Sequence, residues 1–343
     1  MRYRKLGTTG VEVSTQCLGT MMFGAMGNDD HDECVSIIQA ALEQGINFID
    51  TADRYSLGES EVIVGKALKG RRDEVVLATK FLFPMGEDRN HQGGSRRWIM
   101  QAVENSLTRL GTDYIDLYQI HLFDWDTELD ETLSALSDLI HQGKILYAGC
   151  SNFPAEQIVE AQWTSARRNR ERFVCLQPPY SIFTRSIETS VLPTCQRHAM
   201  GVIPWSPLDG GWLAGKYRRG QAVEAGSRFT EGTMWSQRNA GAVDTNVDPK
   251  IELVERLAVV AEKAGLNLMG LGLGFTDAHP AISSTIIGPR TMEQLEGLLS
   301  VAHVVLDDDT LDAIDGICPP GTNAPGTVDR VPNPNMDVVH RRR

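Results

Sequence analysis

Four side chains suited to acid–base chemistry stand close to the ends of three consecutive apolar runs. NFID ends in Asp50, VVLATK in Lys80 and IDLYQIH in His121, while Tyr55 follows Asp50 by five residues in TADRYSLGES. A phenol with a pKa of about 10 is a poor proton donor at neutral pH. A neighbouring ammonium stabilises the phenolate and lowers that pKa. The ammonium in turn needs a carboxylate to stay charged when buried. The spacing therefore predicts that Asp50 tunes Lys80 and that Lys80 tunes Tyr55, making the phenol a general acid–base for a carbonyl oxygen. His121 is expected to orient that oxygen or to share the proton.

A proton donor reduces a carbonyl only alongside a hydride source, and later runs carry groups suited to holding one. GCSN offers the hydroxyl of Ser151 and the amide of Asn152, LQPPYS offers the amide of Gln177 and the flat ring of Tyr180, and PWSPLDGG follows. In IIGPRTMEQLE, Gly288 frees the backbone and Arg290 supplies a phosphate-binding fork just before a helix N-terminus. Arginine plus a helix start forms an anion site.

The elements that must position these groups alternate. Strand-like runs at 16–20, 47–50, 75–80, 115–121, 145–151, 173–177, 201–205 and 284–288 are separated by helical stretches, as where Leu129, Leu133, Leu136 and Ile140 share one face. Alternation of this kind predicts parallel pairing with right-handed crossovers, and eight strands predict a (β/α)8 barrel whose chemistry lies at the strand C-termini. A doubly wound open sheet would normally carry GxGxxG after its first strand, and QCLGTMMFG does not. The chain, 1–343, reads as one barrel domain. It has an N-terminal hairpin over 1–15 around GTTG, a long loop at the strand C-termini over 209–248, and a Pro- and Asn-rich tail over 318–343.

Composition bounds the partners. The net charge of −12 excludes a surface built for nucleic acid or an anionic membrane, and RRNRER (Arg167 to Arg172) reads as a solvated helix end. Six cysteines lack CxxC spacing, so neither a disulfide framework nor a metal site is read. Without a signal peptide or an apolar window of about 18 residues, the chain is expected to be cytoplasmic.

Taken together in order, LGTMMFG, NFIDTADRYSLGESE, LATKF, YQIH, GCSNF, LQPPYS, PWSPLDGGWLAGKY and IIGPRTMEQLE resemble the aldo-keto reductase superfamily. The long loop after the seventh strand is most similar to the bacterial and potassium-channel β-subunit branches. The resemblance implies a catalytic tetrad of Asp50, Tyr55, Lys80 and His121, with Tyr55 the acid. It also implies that Ser151, Asn152 and Gln177 hold a nicotinamide carboxamide and that Tyr180 lies against the ring. Trp205, Ser206, Pro207, Leu208, Gly210, Leu213, Gly215 and Lys216 resemble a segment folding over the pyrophosphate. Gly288, Arg290, Thr291 and Gln294 resemble the site for adenine and its 2′-phosphate. Arg290 favours NADPH, with NADH possible. One departure bears on this: many members carry Asn where this chain has Leu298.

The expected activity is NADPH-dependent reduction of an aldehyde or ketone. The rivals are a nucleotide-binding redox-sensing subunit and a Schiff-base lyase using Lys80. The substrate pocket is expected from Met22, Phe23, Trp98, Phe123 and Trp125, with Trp125 and Trp235 alternatively packing residues. Arg96 and Arg97 are read either as helix-start surface charge or as substrate contacts. The candidate substrates are a ring ketone, a keto-sugar nucleotide and a simple aldehyde.

Overall fold

In a computed structural model, residues 1–224, 227–230, 243–325 and 327 are described. Trp235 and residues 328–343 of the tail, including Arg341 to Arg343, lie outside the described residues, as does part of the 209–248 loop. The chain opens with an antiparallel pair, β1 (Tyr3–Lys5) and β2 (Glu12–Ser14), in the register Tyr3↔Ser14. Eight parallel strands follow: β3 (Gln16–Gly19), β4 (Phe48–Asp50), β5 (Val76–Phe81), β6 (Ile115–Ile120), β7 (Ile145–Ser151), β8 (Phe173–Gln177), β9 (Gly201–Val202) and β10 (Thr285–Ile287). Their order is β10-β3-β4-β5-β6-β7-β8-β9. A bridge between Val202 and Ile282, with Ser283 N donating to Val202 O at 2.8 Å and Ile286 N to Pro204 O at 2.9 Å, joins the two ends into a barrel.

The crossovers are helices α1 (His31–Glu43), α2 (Glu59–Ala67), α3 (Arg96–Leu110), α4 (Leu129–His141), α5 (Ala155–Arg168), α6 (Val191–Arg197), α7 (Lys250–Lys263), α8 (Leu268–Ala278) and α9 (Met292–Val301), with α10 (Asp308–Asp315) beyond. Their starts follow capping chemistry. Asp30 accepts from Asp32 N and Glu33 N, Ser95 from Trp98 N, and Thr291 from Gln294 N. Apolar faces bury against the outside of the sheet, where Ile38, Val64, Val103 and Leu136 join one cluster with Ile49, Leu77 and Ile120.

The barrel interior is a second cluster, and it explains the site. Phe48, Ala78, Leu117 and Cys175 point inward, with Leu6 and Val13 of the hairpin joining the same cluster. Side chains alternate along a strand with a period of two. Counting two residues from each inward position gives Asp50, Lys80, Gln119 and Gln177, and two beyond Gln119 gives His121. The apolar lower layer thus sets the facing of the polar layer above it. The hairpin is tied on by Arg4, whose guanidinium donates to Ile282 O and Asp277 O. Asp277 also accepts from Gln16 and Thr285. All six cysteines are free and buried.

RRNRER divides its roles. Arg167 and Arg168 are exposed in the last turn of α5, whereas Arg170 pairs with Asp130 and Arg172 donates to His198 O. Among the described residues, no single helix is long and apolar enough to cross a membrane.

Candidate active site

The polar layer centres on one fully buried cation. Lys80 Nζ donates to Asp50 Oδ2 at 2.6 Å, to Thr51 O at 2.8 Å and to Tyr55 OH at 3.1 Å. The other oxygen of Asp50 accepts from Gln177 Nε2 at 2.8 Å and Gln119 Nε2 at 3.2 Å. Asp50 is thereby held by an ammonium and two amides, so that both oxygens of the buried carboxylate have partners. Burial pulls the Lys80 ammonium down, but Asp50 and then Tyr55 outweigh it, and the net direction is up. The lysine is held as a cation.

The expected lowering of the Tyr55 pKa is not the net result. Burial pushes the phenol up and outweighs the opposing Lys80 charge. Tyr55 is therefore a proton-loaded acid at neutral pH, which suits donation to a carbonyl. His121 sits edge-on to Tyr55 at 5.9 Å between ring centroids. Burial, reinforced by Lys80, lowers its pKa well below the usual histidine value, so the imidazole is neutral. Its Nδ1 is buried with no partner among the described residues.

Beside this centre, Asn152 Nδ2 donates to His121 O at 3.0 Å and to Ser151 Oγ at 2.9 Å, while Trp205 Nε1 donates to Asn152 Oδ1 at 3.1 Å. Ser151 Oγ donates to Gln177 O at 2.9 Å. Asn152 and Ser206 both adopt left-handed backbone, with φ of 60° and 58°. Tyr180 is placed differently from its expected position. It is 2% exposed, packs on Phe275, and donates its hydroxyl to Glu188 at 2.7 Å, so it offers no open ring face. Trp205, half-buried, is the aromatic ring joined to Asn152.

Pro207, Leu208, Gly210, Leu213, Gly215 and Lys216 lie on one continuous segment, of which Leu213 and Pro207 are buried. At the far end, Gly288 is exposed, and a Cβ there would meet nothing within 4 Å. Arg290 N donates to Gln294 Oε1 at 2.9 Å, and Thr291 caps α9, so Gln294 is engaged in the cap itself. Leu298 is buried at 7% and belongs to the core, which explains an apolar residue there.

The expected substrate residues separate. Phe23 and Trp98 are fully packed in the core, and Met22 is 9% exposed, so these three offer little or no surface. Phe123 is half-buried and stands 4.9 Å from the exposed Trp125. Arg96 pairs with Asp138, and both Arg96 and Arg97 are exposed at the start of α3, matching the surface-charge reading. Two contributors were missed. Gln119 was signalled by its place two residues before His121, on the same face. Phe83, whose ring lies 4.8 Å from His121, follows the strand in a loop and carried no periodic signal.

Comparison with known proteins settles the class. The Aldo/keto reductase family profile matches residues 16–318. The chain belongs to the aldo/keto reductase family. It is 36% identical over 337 residues to the oxidoreductase YrpG of Bacillus subtilis (strain 168), covering 95% of this chain and 98% of that one. It is 34% identical to a probable voltage-gated potassium channel subunit beta of Arabidopsis thaliana, covering 89% and 92%. It is 30% identical to the versiconal hemiacetal acetate reductase of Aspergillus parasiticus, covering 95% and 99%. This aldo/keto reductase is thus an enzyme of the oxidoreductase class on the family's barrel fold, and members of the family act on small carbonyl compounds.

Among the described residues, no cluster of His, Cys, Asp and Glu could hold a metal. The residues present fit a nicotinamide nucleotide. A buried Nδ1 with no partner among the described residues, an indole linked to an amide, an open glycine and an arginine at a capped helix start follow one another along the strand ends.

Proposed function

We propose that this aldo/keto reductase reduces an aldehyde or ketone with NADPH, with Tyr55 as proton donor. The observation that carries the reading is the chain Asp50–Lys80–Tyr55, closed by bonds of 2.6 and 3.1 Å inside the mouth of the barrel. When bound, the dihydronicotinamide supplies the hydride. Ser151, Asn152 and Gln177 would hold its carboxamide, with Trp205 rather than Tyr180 against the ring. The segment from Ser206 to Lys216 would cover the pyrophosphate, and Gly288, Arg290, Thr291 and Gln294 would take the adenosine end. The Arg290 guanidinium favours a 2′-phosphate through charge-assisted bonding, so NADPH is preferred over NADH.

The chain's own residues manage the proton. Tyr55 gives its O–H proton to the carbonyl oxygen, and the phenolate left behind faces the Lys80 ammonium, which Asp50 keeps charged. Neutral His121 positions the same oxygen without adding a competing charge. The cationic state of Lys80 also removes the free amine that a Schiff-base route requires.

Phe83 lies against His121, and Phe123 and the exposed Trp125 lie against each other in the loop just after it, giving this side of the site an aromatic character. Such walls favour a ring-bearing carbonyl over a charged keto-sugar nucleotide. The test is cofactor oxidation by the pure protein with NADPH and, separately, NADH over a carbonyl panel, with Tyr55→Phe alongside. The expected result is turnover lost by about 10²–10⁴-fold in the variant, with NADPH binding, followed by fluorescence, retained. Tight binding without turnover on any carbonyl would instead support a nucleotide-sensing subunit.

A further inference from the structure

Three residues in succession after the proton donor occupy left-handed backbone: Ser56 with φ 48°, Leu57 with φ 56° and Gly58 with φ 96°. For serine and leucine, Cβ crowds the following carbonyl in this region, and such a conformation persists only where its surroundings impose it. Tyr55 begins this turn, so whatever fixes the turn fixes the phenol.

On one side, Ser56 Oγ donates to Phe23 O at 3.1 Å and accepts from Met26 N at 3.0 Å. On the other, Arg109 of α3 lies against Gly58. A Cβ on Gly58 would come within 2.7 Å of Arg109 Cδ and 2.8 Å of its Nε. The same Nε donates to Glu61 Oε2 at 2.6 Å, and Nη2 donates to Ser106 Oγ at 3.2 Å. Glu61 has no exposed surface, and its second oxygen accepts from Thr79, the residue before Lys80, at 2.5 Å. Asp53, two residues before Tyr55 and 1% exposed, has two carboxyl oxygens without a hydrogen-bond partner among the described residues. Burial and then Glu61 push its pKa up, and Arg109 pulls the other way.

We propose that Arg109, seated on Gly58 and paired with Glu61, is a positioning residue that fixes Tyr55 relative to Lys80. The guanidinium occupies the space a side chain at Gly58 would need. Through Glu61 and Thr79 it also joins the tyrosine turn to the strand that carries the lysine. The pair lies behind the site, between α2 and α3, so its effect on the reaction passes through geometry. Displacement of a reacting group by about 1 Å can reduce the rate by about 10²-fold.

This inference rests on Tyr55 being the proton donor, so wild type and Tyr55→Phe are measured first on the best carbonyl. Arg109→Ala, Arg109→Lys, Glu61→Gln and Gly58→Ala are then compared for kcat, KM, NADPH affinity and the isotope effect with 4-deuterated NADPH. The expected result is a kcat lower by about 10²-fold in Arg109→Ala, with NADPH affinity retained and an altered isotope effect. Added guanidinium should restore part of the rate, and Arg109→Lys should fall between. If Arg109→Ala does not fold, Arg109→Lys and Gly58→Ala carry the comparison. Wild-type kcat in the folded variants, or losses matched by equal losses of bound NADPH, would overturn the clamp. A Tyr55→Phe variant that still turns over would overturn the proton-donor reading instead.

Discussion

At the scale of the residue, the polar centre was legible because Asp50, Lys80 and His121 each end a run of apolar neighbours, with Tyr55 five residues beyond the first. An ionisable group in that place needs partners. What the sequence could not weigh was burial against charge. Lys80 does oppose the rise in the Tyr55 pKa, yet desolvation is the larger effect and the net direction is up. This has a consequence for pH. A phenol with a raised pKa stays protonated through neutrality and loses its proton only as the pH climbs past about 10. Carbonyl reduction should therefore be flat from about pH 6 to about pH 10 and fall above that, while alcohol oxidation should rise over the same alkaline range. His121, neutral throughout because burial and Lys80 lower its pKa, should contribute no acidic limb. A pH profile of kcat in both directions checks this, and a reduction limb centred on neutral pH would contradict it.

At the scale of the element, strands and helices followed their periodicities closely, since a period of two or of 3.6 reports directly which face is buried. The substrate wall did not follow. Phe23 and Trp98 sit in loop-flanking positions where hydrophobicity alone cannot distinguish core from cleft, and both went into the core. The segment after β9 shows another feature that only the folded chain reveals. Asp209, with φ of 45° and 1% exposure, accepts from Lys250 Nζ at 2.6 Å, and the lysine lies 5.7 Å from both the Phe183 and Trp212 ring centroids. These two residues stand at opposite ends of the long loop, so the ion pair staples its base. Lys250→Met should lower stability by about 3 kcal/mol, because a buried carboxylate loses its cation. Asp209→Asn in the same background should recover part of that loss. Urea denaturation of the two variants measures both, and NADPH affinity should weaken alongside stability in Lys250→Met.

At the scale of the whole molecule, eight strand signals in a regular rhythm were enough to read the barrel and the face that carries its chemistry. The closure was less legible, because the seventh strand, read over 201–205, pairs regularly only at Gly201 and Val202. Pro204 has no N–H to give a neighbour. That short strand makes a seam. β9 holds β8 through two register positions and, beyond them, an isolated bridge between Trp205 and Pro179, and it meets the last strand's approach through one bridge and a few single bonds, whereas β5 and β6 share four positions. Sub-global opening of a fold starts where backbone bonds are fewest. Amide hydrogen exchange should thus be faster at Ile203 and Ser283, which flank the short strand, than at the amides of β5 and β6. Trp205 and Ser206 lie just beyond one lip of the seam and Gly288 just beyond the other, so a dinucleotide held between them would act as a strap. Exchange at the seam should slow on adding NADPH while β5 and β6 stay unchanged, so that the cofactor completes the wall of its own container.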